Sequence, residues 1–413
     1  MSPRVAIVGA GYAGMAAAVA LAARGVPVTV LESGPVPGGR ARRVRTGGRE
    51  LDNGQHILIG AYAELLRLMR QVGVPPEALL RLPLELRYAD GFAFRSLRLP
   101  APLGTLLGLV SAWKLPLAER WGAIRFMARL RRSAFEVEGA KTVKQFLDEH
   151  RQNGAIGHYL WRPLCVSALN TPPELASARV FARVLRDALD GGSGASDLLL
   201  PRVDLSRLFP EPACAYVAAR GGDVRLNAPV RDLGALRGEF GAAILAVGPH
   251  QLKALLPEAA PEYEYQPIYT CYLQYGEALR LPRPMVGFSG GLLQWAFDRG
   301  RLTGERGLIA CVISAQGDHQ QLQHDELAAR CHAELAAALP GLPAPEWSRV
   351  IAEKRATVAC LPGLAHPPQR TPLPGVYLAG DYTDPEYPPT LEAAVRSGAR
   401  AAALAAPARP GAA

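Results

Sequence analysis

An α/β fold, in which a discontinuous domain built on a parallel sheet is interrupted by an inserted α+β domain, is what this sequence predicts from three observations. The first is VAIVGAGYAGMAAAVALAARGVPVTVLES, where a β-branched run, a glycine-rich turn, an alanine-rich helix and a second apolar run follow one another. The second is GVYLAGDYTDPEYPPTLEAAVRSGARAAALAA, nearly a chain length away, which repeats the order strand, glycine turn, alanine-rich helix. The third is size: 413 residues of 49% hydrophobic composition are enough for two or three structural units.

Taken in order, Val5 to Val8 suits a buried parallel strand, and Gly9-x-Gly11-x-x-Gly14 follows it at once, leading into a helix from Met15 to Arg24. Gly9 makes the tight turn, Gly11 admits a pyrophosphate close to backbone N–H groups, and Gly14 lets helix and strand pack closely. The helix N-terminus then faces the phosphates. A second strand, Val26 to Leu31, ends at Glu32, which lies 18 residues beyond Gly14. That is near the roughly 20-residue offset of an acid that binds ribose hydroxyls. Strand, turn, helix, strand and acid together predict a Rossmann-like unit, and a glycine-rich turn alone does not explain them. The same pattern sets aside the reading of this apolar segment as a signal peptide.

A second glycine cluster, Gly38-Gly39-Arg40, admits another close backbone approach, with Arg40 placed to neutralise a phosphate. A simple nicotinamide dehydrogenase has no need of it. LDNGQHILIGAY at 51–62 comes next and reads either as a polar turn before an apolar segment or as part of a site. The 95–132 stretch carries Arg120, Arg125, Arg129, Arg131 and Arg132 beside Trp113, Trp121 and Phe126. It is too interrupted to cross a bilayer and reads equally as a solvated basic helix or as an anionic membrane surface contact. GGSGAS at 191–196 is a loop between units. GGDVRLNAPVRDL and AAILAVGPHQLKALL read as two strands, with Val230 a candidate for an adenine pocket.

Near the far end, Val376 to Ala379 is a strand closed by Gly380-Asp381, and Thr390 caps a helix beginning at Leu391. Asp381 can accept hydrogen bonds from a polyol. The positive end of the Leu391 helix suits the anionic edge of a reduced flavin, which favours FAD over NAD. The expected division is 1–75, 203–252 and 365–413 for the FAD-binding domain, with 76–202 and 253–364 forming the substrate-binding domain.

The balance of 46 Lys+Arg over 37 Asp+Glu gives +9, which admits nucleic acid, an anionic cofactor or an anionic membrane as partner. Charge alone does not choose among them, and the dinucleotide motifs favour the cofactor over nucleic acid. Six cysteines without a C-x-x-C pair indicate neither a zinc site nor a disulfide framework, and no metal is expected. They fit a reducing, cytoplasmic setting.

Taken together, these segments resemble the FAD-dependent amine oxidase and phytoene desaturase superfamily, and LDNGQHILIGAY with YLWRPLCVSALNTPPELASARVFARVLRDAL is similar to the hydroxysqualene dehydroxylase family. The resemblance implies an amine oxidase-like fold and FAD held noncovalently, since no cysteine stands near Gly380-Asp381. It implies reductive dehydroxylation of hydroxysqualene to squalene in squalene and hopanoid biosynthesis. A polyprenyl lipid is then the substrate, upstream squalene-pathway enzymes are candidate partners, and a peripheral place at the inner face of the cytoplasmic membrane follows. The same resemblance puts 52–56 beside the flavin ring, making His56 a candidate acid, Gln55 an orienting group and Asp52 a further catalytic candidate. It suggests that 99–135 and 159–169 line a long apolar channel and that Tyr382 and Tyr387 flank the flavin. The rival readings are a carotenoid-type desaturase or an amine oxidase, and, in another class, a non-catalytic prenyl-binding carrier. Intact Gly9, Gly11, Gly14, Glu32 and Asp381 argue against the carrier.

Overall fold

The strand Val5–Val8 alternates its side chains between two cores: Val5 and Ile7 pack on one face of a sheet, Ala6 and Val8 on the other. All four are buried, as expected of an inner strand of a parallel sheet covered on both sides. The computed structural model describes residues 4–406 except 98, 100–102, 113 and 237, so Trp113 lies outside the described residues. The sheet has five parallel strands in the order Asp223–Arg225, Val28–Leu31, Val5–Val8, Ala242–Leu245, Val376–Leu378. Three distant stretches of chain therefore meet in one layer, with Val5–Val8 at its centre.

The first helix runs Tyr12–Ala22, three residues earlier than its sequence pattern suggests. Gly11 is its N-cap in extended geometry, so the helix starts straight from the turn and Gly14 falls inside its first turn. Its alanine content has a packing cause. It lies against the helix Leu391–Ala405, and a Cβ added at Gly398 would sit 2.0 Å from the Ala13 carbonyl oxygen. The second strand begins at Val28 rather than Val26, because Pro27 has no N–H to give to the ladder.

The second unit is an antiparallel sheet in the order Met285–Gly287, Trp295–Asp298, Leu308–Ser314, Tyr265–Gln274, Trp347–Val358. The helix His324–Ala338 covers one face through Leu327, Cys331 and Leu335. The other face meets a helical layer in which Phe126, Trp161, Phe181 and Leu185 share a core with Tyr272, Phe297 and Val312. A small sheet of Leu58–Ile59, Leu198–Pro201 and Leu79–Leu82 stands beside both units. The 99–135 stretch turns its buried side chains, among them Leu109, Leu115, Phe126 and Leu130, into this core. No helix among the described residues is long and apolar enough to cross a membrane.

Candidate active site

At the carboxyl ends of the parallel strands the two glycine clusters touch: Gly11 and Gly38 form an isolated parallel bridge. Three glycines here serve different needs. Gly9 has φ +104°, and a Cβ on it would lie 2.6 Å from the Ala246 oxygen; a Cβ on Gly14 would lie 2.0 Å from the Gly9 oxygen. The fold itself therefore requires those two. Gly11 is different, because its φ is −71° and a Cβ on it would meet nothing closer than the Gly39 Cα at 3.8 Å. No contact with the described residues forbids a side chain there, and the space beside it belongs to a cavity lined by Gly9, Gly11, Glu32, Gly39 and Arg40.

Glu32 is held in place rather than free. Its Oε2 accepts the Ala10 N–H at 2.8 Å and its Oε1 the Gly34 N–H at 2.7 Å. On the opposite wall the Asp381 carboxylate accepts from Arg40 Nη2 at 2.6 Å, while Arg40 Nη1 donates to the Ala356 carbonyl at 2.8 Å. Arg40 thus ties the turn after Gly380 to the last strand of the antiparallel sheet. Thr390 and Leu391 also line the cavity, and Thr390 Oγ1 accepts the Ala393 N–H at 3.3 Å, capping the Leu391–Ala405 helix. The helix beginning at Tyr12 and this one both reach the cavity with their N-termini, each carrying partial positive charge. The buried Tyr382 hydroxyl, also on this wall, has no hydrogen-bond partner among the described residues.

These features fit a flavin dinucleotide: a glycine cradle with room at Gly11, a fixed carboxylate at Glu32, two helix N-termini, a second carboxylate at Asp381 and an unpaired hydroxyl. The cavity is about 780 Å³ and also has an apolar wall, to which Leu86, Leu164, Met285, Trp295, Phe297 and Val312 contribute. One space therefore joins a polar, glycine-lined cradle to an apolar wall.

Gln55 and His56 line the same cavity. The His56 Nδ1 lies 2.9 Å from the Gly54 carbonyl oxygen. A carbonyl only accepts, so Nδ1 carries the hydrogen and Nε2 is the atom left to exchange a proton. Burial lowers the His56 pKa below the ordinary histidine value; the Gly54 bond and the Asp52 charge oppose that shift, and Arg40 adds to it. Gln55 Oε1 accepts from Arg299 Nη1 at 3.1 Å.

The structure corrects several expectations. Asp52 does not line the cavity: its Oδ2 accepts from Arg299 Nη1 at 3.0 Å and its Oδ1 from the Leu205 N–H at 2.9 Å. Burial pushes its carboxyl above the usual range against the pull of Arg299. It is a buried brace, not a group facing the cavity. Val230 is not on the wall either; it packs half-buried in the same cluster as Val247, which does line the cavity. None of the described residues of 99–135 lines the cavity, whereas Leu164 and Ser167 from 159–169 do. Tyr387 is off the wall, with the Arg396 guanidinium over its ring. Arg299 is the residue that sequence reasoning missed. It sits 3% exposed, donates to Asp52, Gln55 and Glu305, and follows no motif that marks it.

The fold and the cofactor-shaped cavity define a flavin-dependent oxidoreductase, and residues 12–406 match the family model of the flavin containing amine oxidoreductases. A solved putrescine oxidase bound to putrescine superposes with a TM-score of 0.70 at 19% identity, covering 98% of this chain and 99% of that one. Hydroxysqualene dehydroxylase of Rhodopseudomonas palustris is 33% identical over 98% of both chains, and that of Sinorhizobium fredii 28% identical over 98% of this chain and 99% of its own. The chain belongs to the flavin containing amine oxidoreductase family and, within it, to the hydroxysqualene dehydroxylase branch.

Proposed function

We propose that this protein is an FAD-dependent enzyme that removes the hydroxyl of hydroxysqualene to give squalene. The observation that carries the reading is the single cavity in which a dinucleotide cradle, Gln55 with His56, and an apolar wall meet; the named relatives supply the substrate. The chemistry balances simply. A proton joins the allylic hydroxyl, water leaves with the C–O bonding pair, and a hydride fills the delocalised cation, so the alcohol carbon is reduced by two electrons. Reduced FAD, when bound, supplies that hydride.

The chain supplies the rest. Gly9, Gly11, Gly39 and the Tyr12 helix would hold the pyrophosphate, Glu32 a ribose, and Asp381, positioned by Arg40, the polyol chain. Gly380 forms the turn that presents Asp381, and the Thr390–Leu391 helix end would stabilise negative charge on the flavin ring. His56 would give the proton from Nε2 while Nδ1 stays on Gly54, and Gln55, fixed by Arg299, would orient the leaving hydroxyl. The apolar wall excludes water from a cation that water would trap. We divide these tasks between an FAD-binding part (1–75, 203–252, 365–413) and a substrate-binding part (76–202, 253–364). A lipid substrate needs a route from a lipid phase, and peripheral contact with the inner face of the cytoplasmic membrane belongs to the same proposal.

The test is a single anaerobic turnover. Enzyme carrying reduced flavin is mixed with detergent-solubilised hydroxysqualene, and the expected result is stoichiometric squalene with return of the oxidised flavin spectrum. A desaturase would instead leave reduced flavin untouched and bleach oxidised flavin with a polyene precursor, which would overturn the assignment.

A further inference from the structure

The short helix Leu103–Ser111 is packed the wrong way round for a helix in water. Its inward face is Gly104, Thr105, Gly108 and Leu109, while Leu103, Leu107 and Val110, at i, i+4 and i+7, are 53%, 44% and 46% exposed. A helix on an aqueous surface buries such a stripe. The glycines explain the local geometry. A Cβ on Gly104 would lie 2.0 Å from the Leu97 oxygen and one on Gly108 2.6 Å from the Arg95 oxygen, so the helix is seated on the preceding segment by backbone contact.

The next helix, Leu117–Arg132, continues the surface. Leu117 is 70% and Trp121 58% exposed, and exposed Arg125 follows at the same four-residue spacing. Among the described residues every exposed large hydrophobic side chain except Leu226 falls between Leu97 and Trp121. Charge is equally one-sided. The 95–132 stretch holds eight Lys and Arg against the single Glu119, whose carboxylate is occupied by the Ile156 N–H at 2.8 Å. Arg120 closes the gap between the helices by donating to the Val110 carbonyl at 2.6 Å.

This surface adjoins the cavity. A small cleft beside Leu97, Leu99 and Thr105 shares Ala188, Leu189 and Ser196 with the wall of the flavin cavity. Thr105 Oγ1 donates to the Leu189 carbonyl at 3.0 Å, which ties the helix to that shared wall.

We propose that the exposed leucine stripe and its arginines dock on an anionic lipid surface, and that the cavity wall at Ala188, Leu189 and Ser196 beside it is the portal at which a polyprenyl alcohol passes from lipid into the cavity. The portal rests on the dehydroxylase reading; the docking does not. Apolar side chains enter the headgroup boundary while the arginines meet anionic headgroups.

The experiment uses the flavin-loaded protein and phosphatidylcholine vesicles with and without phosphatidylglycerol. Wild type is expected to sediment with the anionic vesicles and to be released by salt. The Leu107→Ser, Val110→Ser, Trp121→Ser variant is expected to bind them roughly 100-fold or more weakly, from the transfer free energy of three apolar side chains. It should keep its flavin and its turnover of detergent-solubilised substrate, and lose turnover only when the substrate is supplied in vesicles. Sedimentation of the variant equal to wild type overturns the docking. So does a wild-type dimer that the variant breaks without any change in vesicle binding, because the stripe is then an interface between copies. An equal loss of turnover in detergent and in vesicles overturns the portal. Failure of the dehydroxylase reading shows separately, as no squalene from wild type in detergent.

Discussion

His56 combines a fixed Nδ1 with a pKa depressed by burial, and that pairing makes a sharp kinetic expectation. An acid acts in its protonated form, and a group with a lowered pKa holds that form only on the acid side. The single-turnover rate should therefore rise as pH falls and level off below the depressed value, with one limb assigned to His56. His56→Gln should keep flavin, lose the limb and be slower by on the order of 10²–10⁴. A Gln variant as fast as wild type would mean that His56 only braces the Asp52-Asn53-Gly54 turn. Gly11 carries the companion test. Because its φ and its surroundings tolerate a side chain, Gly11→Val should melt with the flavin-free wild type yet fail to take up FAD, as judged by flavin absorbance after reconstitution. At this scale the sequence was legible where a motif gives a residue its neighbours. Glu32, Arg40, Asp381 and His56 all line the cavity, whereas Asp52 stands beside His56 in sequence but turns inward to Arg299. Its partner lies 247 positions away, and nothing local announces it.

The two alanine-rich helices show the same logic one level up. Periodicity announced both, and the N-cap at Thr390 and the strand before each helix were readable from residue type. Their closeness was not readable, because it depends on Gly398 meeting the Ala13 carbonyl across the interface. Both N-termini reach the cavity, so separating these helices should loosen the cofactor as well as the fold. Gly398→Val is expected to cost about 1–3 kcal/mol of stability by overpacking and to release flavin at a lower temperature than wild type. Flavin fluorescence followed during heating reads both together, and an unchanged release temperature would show that the pair does not set the cradle. The 103–111 helix was the harder element. Its leucines look like core in the sequence, and only the backbone contacts of Gly104 and Gly108 turn them outward.

Across the whole molecule, the order of motifs already implied a parallel sheet closed by distant segments, because an open dinucleotide unit needs more strands than residues 1–50 supply. What joins that sheet to the antiparallel one does not show in any motif. Arg40 spans the gap, with one nitrogen on Asp381 and the other on the Ala356 carbonyl of the strand Trp347–Val358, while Asn53 Nδ2 reaches Glu353 of the same strand at 2.9 Å. A planar guanidinium can serve two acceptors at fixed angles, and a lysine ammonium at the same site cannot hold both in that geometry. Arg40→Lys keeps the charge, so a purely electrostatic role would leave FAD affinity nearly intact. A positioning role predicts a different result. Asp381 would lose its orientation, and losing one charged hydrogen bond of about 1.5–3 kcal/mol should weaken FAD roughly 10- to 150-fold in titrations of the apoprotein. The loss should persist at high salt, since a hydrogen bond of fixed geometry onto the buried Asp381 carboxylate is screened less than a diffuse charge. Wild-type FAD affinity in the lysine variant would reduce Arg40 to a countercharge and leave the joining of the two sheets to Asn53 and Glu353.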